Sequence, residues 1–493
     1  MVASSQPLAT EAGILMLRSG GTAVDAAVAM AAVLCVVEPG STDLGGDFFM
    51  LVKDGGNIRG VNGSGKSPAA LTMEDMPWGP TSPHAVTVPG CVAAWVDSHD
   101  KMGKLPLREV LAPAIRAAGG FPIAPMAFAA VQEHRSSLPL DFLADATEVG
   151  AVVSRRELKT VLENIAKNGK KAFYDDGPTA RAIVKAVPLM TLEDLKAHET
   201  ILNTKPLSVD FHGVTAWEHG PNAAGLVVLL ALQTLRELGV TDFSTPEAVH
   251  LMIKALKLAF RDARAVVCDP STCYDVELML TTEYAIASAK KVSDDDVIIT
   301  AQQWPMGPDT ASFQAVDAKG RFVSAVNSTY QAFGSKIVAS GFTLQNRGFN
   351  FSRDPAHPNC VEGAKRPYHT IIPCILTGKI EATLTNMGGF MQPQGHVQHI
   401  VNLLFRGMDP QASVDAPRFC IDLDADVVRI EPTYGDEIIT YLRARGHAVH
   451  VLPDDNYARA KIVGKAQIIT RSSSTGVLVA GSDPRADGCA MGF

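Results

Sequence analysis

One segment of the sequence, Ala23–Val37, is Ala-rich and apolar nearly all round when it is read as a helix. Thr22 is a suitable N-cap, and residues 38–40 (EPG) end the segment. A helix without a polar face is buried within a larger protein. The chain has 493 residues, 46% of them hydrophobic, which is enough apolar material for a large core. This length allows about three domains of roughly 150 residues, or one layered core.

Charge and hydropathy exclude several classes of function. The chain carries 44 Lys and Arg against 52 Asp and Glu, a formal net charge of −8, so nucleic acid is not an expected partner. The longest uncharged apolar run, residues 26–37, is shorter than the ~20 residues of a membrane-spanning helix. No signal peptide is predicted. The eight cysteines are scattered without a CxxC motif, which predicts reduced thiols and a cytoplasmic location.

Helical and strand patterns divide the chain unevenly. Residues 43–61 (DLGGDFFMLVKDGGNIRGV) predict a glycine-rich turn, an apolar strand, a GG turn and a second strand. Helical patterns dominate from Cys91–Met102 to about residue 258. Residues 275–309, which include an acidic run at 293–296, predict an exposed loop. The strands predicted after this loop are residues 312–316, 322–326, 371–376 and 380–385.

Two short motifs match ligand-binding patterns. Residues 60–67 (GVNGSGKS) fit the phosphate-loop pattern, which requires a buried strand before it and a helix after it. The preceding segment is a short polar arm and Pro68 follows at once, so a tight Gly/Ser loop near a ligand is favoured over nucleotide binding.

His396 and His399 form H-x-x-H, but no acidic third ligand has a recognisable spacing. Packing or hydrogen-bonding histidines are therefore favoured, and no metal or organic cofactor is predicted.

Thr310 lies at the junction between the predicted exposed loop and the strand that follows it. A turn at residues 318–320 (AKG) separates this strand from the next one. By its spacing alone, Thr310 would be a capping or strand-start residue. The segments around it lead to a different interpretation.

These segments resemble the γ-glutamyltransferase family of N-terminal-nucleophile hydrolases over almost the whole chain. They occur in the family's order, which makes the resemblance specific. The segments are residues 9–29 (ATEAGILMLRSGGTAVDAAVA), 43–52 (DLGGDFFMLV), 86–90 (VTVPG), 219–225 (HGPNAAG), 249–264 (VHLMIKALKLAFRDAR), 268–270 (CDP), 332–335 (AFGS), 365–370 (KRPYHT), 386–389 (NMGG), 415–418 (DAPR) and 481–488 (GSDPRADG).

The resemblance implies an α+β fold, the four-layer αββα sandwich, and self-cleavage between Asp309 and Thr310. The large chain would be residues 1–309 and the small chain residues 310–493, interwoven in one core. Thr310 would become the nucleophile, with its new α-amine, of solution pKa ~7.7–8.0, as general base. Ser328 matches a family hydroxyl that hydrogen-bonds the nucleophile and supports processing. The family's oxyanion-hole glycines correspond to Gly388 and Gly389.

The sequence departs from classical members of the family where they bind the γ-glutamyl group. The arginine that holds the α-carboxylate is absent, with Ser64 near its place and Lys66 two residues further on. The aspartate that binds the α-amine is replaced by Asn350, and a cation, Arg347, appears nearby. The paired serines expected after K-R-P are replaced within residues 368–370 (YHT).

These differences resemble the acylase branch of the family, which includes cephalosporin-acylase-like and oxamate-amidohydrolase-like members. We expect a substrate whose acyl group has no recognised α-amine and carries a carboxylate. Arg347 would bind this carboxylate through two hydrogen bonds, and Lys66 would assist Arg347. A structural ion pair is the alternative role of Arg347. The predicted substrate-binding residues are Arg347, Asn350, Asn346, Ser64, Lys66, Tyr330 and His369, with Tyr330 and His369 as pocket lining.

The leading interpretation is therefore a self-processing amidohydrolase for small-molecule amides. A genuine γ-glutamyl transferase or glutathione hydrolase is the enzyme alternative. An unprocessed, noncatalytic family member that acts as a binding protein is the alternative from another class. The expected partners are the small-molecule substrate and the two processed chains themselves, with neither nucleic acid nor membrane, in a homo-oligomer.

Overall fold

The computed structural model describes residues 1–75, 78–294 and 308–493. Its strands are β1 (Val2–Ser4), β2 (Asp47–Asp54), β3 (Asn57–Gly63), β4 (Phe121–Pro122), β5 (Val152–Val153), β6 (Ile201–Thr204), β7 (Leu207–Phe211), β8 (Val214–Glu218), β9 (Pro308–Val316), β10 (Phe322–Gln331), β11 (Val338–Ala339), β12 (Phe342–Thr343), β13 (Cys374–Gly378), β14 (Glu381–Asn386), β15 (Phe419–Asp422), β16 (Val427–Ile430), β17 (Ala448–Val451), β18 (Ala466–Arg471), β19 (Leu478–Ser482) and β20 (Cys489–Met491).

The α-helices of the described residues are α1 (Pro7–Arg18), α2 (Ala23–Val37), α3 (Cys91–Met102), α4 (Leu107–Gly119), α5 (Pro125–His134), α6 (Arg156–Asn168), α7 (Lys171–Tyr174), α8 (Pro178–Ala186), α9 (Leu192–Lys196), α10 (Gly225–Glu237), α11 (Pro246–Val266), α12 (Thr282–Ser293), α13 (Met391–Leu404), α14 (Pro410–Asp415), α15 (Asp436–Ala444) and α16 (Asn456–Val463). Over the parts of the chain that are described, no helix is long and apolar enough to cross a membrane.

Two antiparallel sheets form the centre of the molecule. The first sheet has the order β20-β1-β9-β10-β2-β3-β6, and the second sheet has the order β19-β18-β14-β13-β8-β7. They stack face to face, with side-chain bonds between them such as Ser324 Oγ to the Leu384 carbonyl at 3.1 Å. Helix α2 packs on the outer face of the first sheet, and α10 and α13 pack on that of the second. The fold is therefore the four-layer αββα sandwich.

Helix α2 shows why a chain with this sequence needs several layers. Every residue from Ala23 to Val37 is buried, between the first sheet and helices α1, α3 and α4. The start of the helix is fixed by a capping box, in which the N–H of Thr22 donates to Asp25 and that of Asp25 donates to Thr22 Oγ1. The sequence prediction for this helix is confirmed.

Both sheets combine strands from either side of the predicted cleavage point at residues 309 and 310. In the first sheet, β9, β10 and β20 lie among β1, β2, β3 and β6. In the second sheet, β7 pairs with β8, β8 pairs with β13, and β13 pairs with β14. Two chains separated at this point would share one core. The cleavage itself stays a prediction.

Several predictions about local structure need correction. Strands β6, β7 and β8 lie within the region predicted to be mainly helical. Burial alternates along β7 and β8, but β6 has no fully buried residue, and all three strands include polar residues that weaken the pattern. Part of the predicted exposed loop is helix α12, which Thr281 caps and which buries Ala285 and Val292. The end of the acidic run and residues 295–307 lie outside the described residues. Strand β13 begins at Cys374, three residues later than predicted.

The structure agrees with the preference for a tight Gly/Ser loop over a phosphate loop at residues 60–67. Residues 60–63 end strand β3, and residues 64–72 are not helical. The next α-helix of the described chain is α3, which begins at Cys91. The motif therefore lacks the helix N-terminus that binds phosphate.

Candidate active site

Thr310 and Ser328 lie side by side on neighbouring strands of the first sheet. Thr310 is in β9 and Ser328 is in β10, and their hydroxyl oxygens are 3.1 Å apart. Both residues are buried. The backbone N–H of Tyr330 donates a 2.9 Å hydrogen bond to the Ser328 hydroxyl. A hydroxyl proton can therefore be shared between the two side chains while Ser328 is held by its own strand.

The pairing of β10 with its neighbours places a carboxylate beside this hydroxyl pair. The register with β9 shifts between Asn327 and Tyr330, an irregularity of the kind that redirects side chains next to active sites. On its other side, Ser328 is paired in register with Asp47 of β2. Directly opposed residues of antiparallel strands share a face, with Cβ atoms ~4.5–5.5 Å apart. Asp47 is therefore a neighbour of Ser328.

Asp47 is a fully buried acid with a perturbed pKa. Its Oδ2 lies 3.0 Å from His369 Nε2 and 3.8 Å from Arg347 Nε, and its Oδ1 accepts a 3.3 Å bond from the N–H of Gly65. Burial raises the pKa of Asp47 to about 7, although the Arg347 guanidinium acts in the opposite direction. The carboxyl group therefore changes its charge near neutral pH.

Arg347 is the buried cation of the same cluster. It begins the 3₁₀ turn Arg347–Asn350, and its Nη1 donates a 2.9 Å hydrogen bond to Thr370 Oγ1. The guanidinium carbon lies 4.5 Å from the centre of the Tyr330 ring. Within the described part of the chain, Nε and Nη2 make no hydrogen bond. Burial lowers the pKa of Arg347 to about 10, so the side chain is still positive at neutral pH.

Tyr330 connects the hydroxyl pair to Arg347. Its φ is 79°, an unusual value for a bulky residue and one that requires support from the surrounding structure. Its backbone N–H contacts Ser328 and its ring contacts Arg347. Burial raises the pKa of the phenol above its ordinary value, so Tyr330 is neutral.

His369 supports Asp47 and is unsuited to proton transfer at neutral pH. Burial lowers the pKa of His369 well below its usual value, and Arg347 acts in the same direction. A neutral imidazole that donates from Nε2 to Asp47 leaves Nδ1 to accept the 3.3 Å hydrogen bond from the N–H of Ile371. The backbone N–H of His369 bonds the carbonyl of Asn222 at 2.8 Å.

Asn346 bonds two residues that line a cavity beside the strand end that carries Thr310. Its Nδ2 donates to the Pro80 carbonyl and to Gln331 Oε1, both at 2.9 Å. Pro80 and Gln331 line a cavity of about 310 Å³. Gln331 is also paired in register with Pro308, two residues before Thr310. This cavity therefore lies next to the start of β9.

The other predicted substrate-binding residues have different surroundings. Asn350 is buried, and its Nδ2 has no hydrogen-bond partner among the described residues. The hydroxyl of Ser64 donates to Asn62 Oδ1 at 2.7 Å and is buried. Lys66 is exposed and lines a separate cavity of about 620 Å³, whereas Arg347 is fully buried.

Gly388 and Gly389 form the connection between β14 and the start of α13. Their φ angles are 119° and 57°, in the region that favours glycine. A Cβ atom on Gly388 would lie 3.2 Å from the Cβ of Met391, so the site is also sterically restricted. The predicted oxyanion-hole glycines are therefore at positions where another residue would be strained.

A family model described as gamma-glutamyltranspeptidase matches residues 9–493. The chain belongs to this family.

Proteins similar to this chain have names that refer to several different activities. The chain is 34% identical to the glutathione hydrolase-like YwrD proenzyme of Bacillus subtilis and 31% identical to the oxamate amidohydrolase proenzyme of Klebsiella pneumoniae, in each case over 100% of this chain and 98% of the relative. The crystal structure of cephalosporin acylase from Bacillus halodurans matches with a TM-score of 0.90 and 37% identity, over 100% of this chain and 96% of the other.

As a gamma-glutamyltranspeptidase family member, the protein is an enzyme of the N-terminal-nucleophile amidohydrolase and acyltransferase class. This membership excludes the noncatalytic binding protein as the main interpretation. Several relatives are named proenzymes, which supports maturation into a large and a small chain.

Sequence analysis missed one residue of the cluster, Asp47. It lies within residues 43–52, which were quoted only for their resemblance to the family. The available signal was an acidic residue directly before the apolar run at residues 48–52 (FFMLV), because a charge at the start of a buried strand needs a specific partner. The partners Arg347 and His369 are about 300 residues away in sequence, so the pairing was not visible.

Proposed function

We propose that the protein is a self-processing amidohydrolase in which Thr310 is the nucleophile and Arg347 binds a carboxylate on the acyl part of a small-molecule amide. The main support is the buried guanidinium of Arg347. Its Nε and Nη2, which together form one edge of the planar group, have no hydrogen-bond partner among the described residues. This edge has the geometry that binds a carboxylate through two parallel hydrogen bonds.

Maturation requires one rearrangement and one hydrolysis. The Thr310 hydroxyl attacks the carbonyl carbon of Asp309, the C–N bond breaks, and the acyl group moves from nitrogen to oxygen as an ester. Water then hydrolyses this ester and restores the hydroxyl, while the former amide nitrogen becomes a free α-amine. Ser328, 3.1 Å from the Thr310 oxygen, supports the attack by accepting or relaying the hydroxyl proton.

In the mature enzyme the α-amine of Thr310 takes the hydroxyl proton as the oxygen attacks the substrate carbonyl. The backbone N–H groups at Gly388 and Gly389 stabilise the oxyanion, a contribution of about 3 kcal/mol for one donor. The amine product leaves with the proton, and water hydrolyses the acyl-enzyme through the same base. Arg347 holds the acyl carboxylate without taking part in bond breaking.

Intact mass spectrometry of the purified protein beside a Thr310→Ala variant tests the nucleophile. We expect two species that end at residue 309 and begin at residue 310, and only the full-length species in the variant. Ser312→Ala is the matched control, because it removes a hydroxyl two residues along the same strand. The control should be processed and active. A single full-length species in the unmodified protein under all conditions would contradict the proposal.

Substrate assays separate this proposal from glutathione hydrolysis, which the name of the YwrD relative suggests. The proposal predicts faster turnover of a dicarboxylic acid monoamide than of glutathione, because Asn350 carries no charge to pair with an α-ammonium group. The reverse order would support a γ-glutamyl enzyme. A homo-oligomeric state and a cytoplasmic location, which is consistent with the eight free cysteines, stay predictions.

A further inference from the structure

A carboxylate, a thiol and an imidazole converge on one point behind the second sheet. Glu218 ends β8, Cys374 begins β13, and the two residues are directly opposed in register. His396 reaches them from helix α13. One potential ligand atom from each residue lies within 4.8 Å of the others, and all three residues are fully buried.

The hydrogen bonds of this cluster are incomplete within the described part of the chain. His396 Nδ1 is 2.8 Å from Glu218 Oε1. Glu218 Oε2 and His396 Nε2 have no hydrogen-bond partner among the described residues. Buried polar atoms nearly always have partners, so two such atoms in one small cluster point to a bound ligand.

His399, the other histidine of the H-x-x-H motif, does not join the cluster. Its Nε2 lies 3.2 Å from Asn386 Oδ1, and its Nδ1 lies 3.1 Å from the Ser413 hydroxyl. Its bonds are those of a structural histidine, as the sequence favoured. The other two residues of the cluster, Glu218 and Cys374, come from strands β8 and β13.

We propose that Glu218, Cys374 and His396 bind a zinc ion. Thiolate sulfur, imidazole nitrogen and carboxylate oxygen are all zinc ligands, and a thiolate disfavours magnesium and calcium. The ligand atoms of tetrahedral zinc lie about 3.5 Å apart. Small side-chain rotations would bring the ligand atoms of Glu218, Cys374 and His396 from their present separations to this distance. One water molecule completes the coordination.

The charges and protons of this step balance. Zinc binding requires that Cys374 gives up its thiol proton, and that Glu218 binds as a carboxylate and His396 as a neutral imidazole. The ion with one thiolate, one carboxylate and one neutral imidazole then has no net charge. A neutral buried site avoids the desolvation penalty of an unpaired ion.

The site would fix helix α13 to the second sheet. Helix α13 starts at Met391, two residues after Gly389, so the position of the helix constrains that of the two glycines. Glu218 also precedes residues 219–225, whose Asn222 bonds the Pro367 carbonyl at 2.7 Å. The role is structural, at the base of the candidate active site, and it does not depend on which amide the enzyme cleaves.

Metal analysis of the full chain tests this inference. The protein is incubated with zinc sulfate, desalted and measured by inductively coupled plasma mass spectrometry. We expect about one zinc per chain, and a loss of at least about 80% of it in Cys374→Ser. Cys420→Ser is the matched control, because Cys420 is also buried but its sulfur lies near Gln394 Nε2, at 3.7 Å. This control should retain the zinc.

Cobalt provides a readout that does not depend on the folding of a variant. Co²⁺ added to the unmodified metal-free protein should give a near-ultraviolet thiolate-to-cobalt band and the visible bands of tetrahedral cobalt. Absence of zinc after loading, together with absence of the thiolate band, overturns the proposal. His447 Nε2 and His250 Nδ1 form a separate pair 2.8 Å apart, which is the alternative place for the zinc. Retention of zinc by Cys374→Ser together with its loss in His447→Ala would also overturn the proposal.

Discussion

Two fully buried arginines of this protein, Arg418 and Arg347, have very different surroundings. Arg418 Nη2 forms a 2.7 Å ion pair with Asp483 and also donates to the Gly464 carbonyl at 2.9 Å. Arg347 Nη1 has one short bond, to Thr370, and its nearest carboxylate oxygen, on Asp47, is 3.8 Å from Nε.

The acids beside these arginines report the same difference. Burial alone would raise the pKa of Asp483, but Arg418 and Arg485 hold it below its usual range. The pKa of Asp47 is instead raised to about 7, because burial outweighs Arg347. Among the described residues Arg418 lacks a hydrogen-bond partner only at Nε, whereas Arg347 lacks one at both Nε and Nη2. A buried guanidinium with a whole edge unpartnered is available to a ligand.

The largest effect is expected from Arg418→Met. The substitution removes the ion pair of Arg418 and leaves Arg485 as the remaining cation beside the buried Asp483, so the free energy of unfolding should fall by about 3 kcal/mol in denaturant titration. Arg181→Met is the control, because its partner Asp176 is on the surface and its loss should leave stability unchanged. An equally large loss of stability in Arg347→Met would remove the distinction between the two arginines.

Arg347→Met should affect catalysis more than stability. We expect kcat/KM for a dicarboxylic acid monoamide to fall about 100-fold, because a charge-assisted pair of hydrogen bonds is lost. The methyl ester of the same monoamide lacks the negative charge, and its kcat/KM should change about threefold or less. Equal losses for the two substrates would show that Arg347 acts through the fold and not through the carboxylate.

The smallest effect concerns pH. Below about pH 7 Asp47 is protonated and leaves the charge of Arg347 uncompensated, whereas above it the ionised carboxylate repels an anionic ligand. The inhibition constant of the product dicarboxylate should therefore rise, by up to about tenfold, between pH 6 and pH 8. The same rise in Asp47→Asn would assign the pH dependence to another group.

Much of the candidate site could be predicted from the sequence, because several of its residues lie in short segments with a recognisable pattern. The strand pattern after Thr310 and the resemblance to the family identified Ser328 and the two glycines. The structure places Thr310 and Ser328 on adjacent strands and both glycines at positive φ. Strands β6, β7 and β8 were missed, since a short strand with polar residues on one face has a weak pattern.

The sequence by itself determined the buried helix α2, the family and the candidate nucleophile, because helix patterns, caps and motifs depend on residues close together in the chain. Only the tertiary structure decided that Asp47 lies beside Arg347 and that Glu218, Cys374 and His396 meet at one point. These groups come from strands and helices far apart in sequence. Their burial and charge depend on which elements pack together, and no local pattern records that packing.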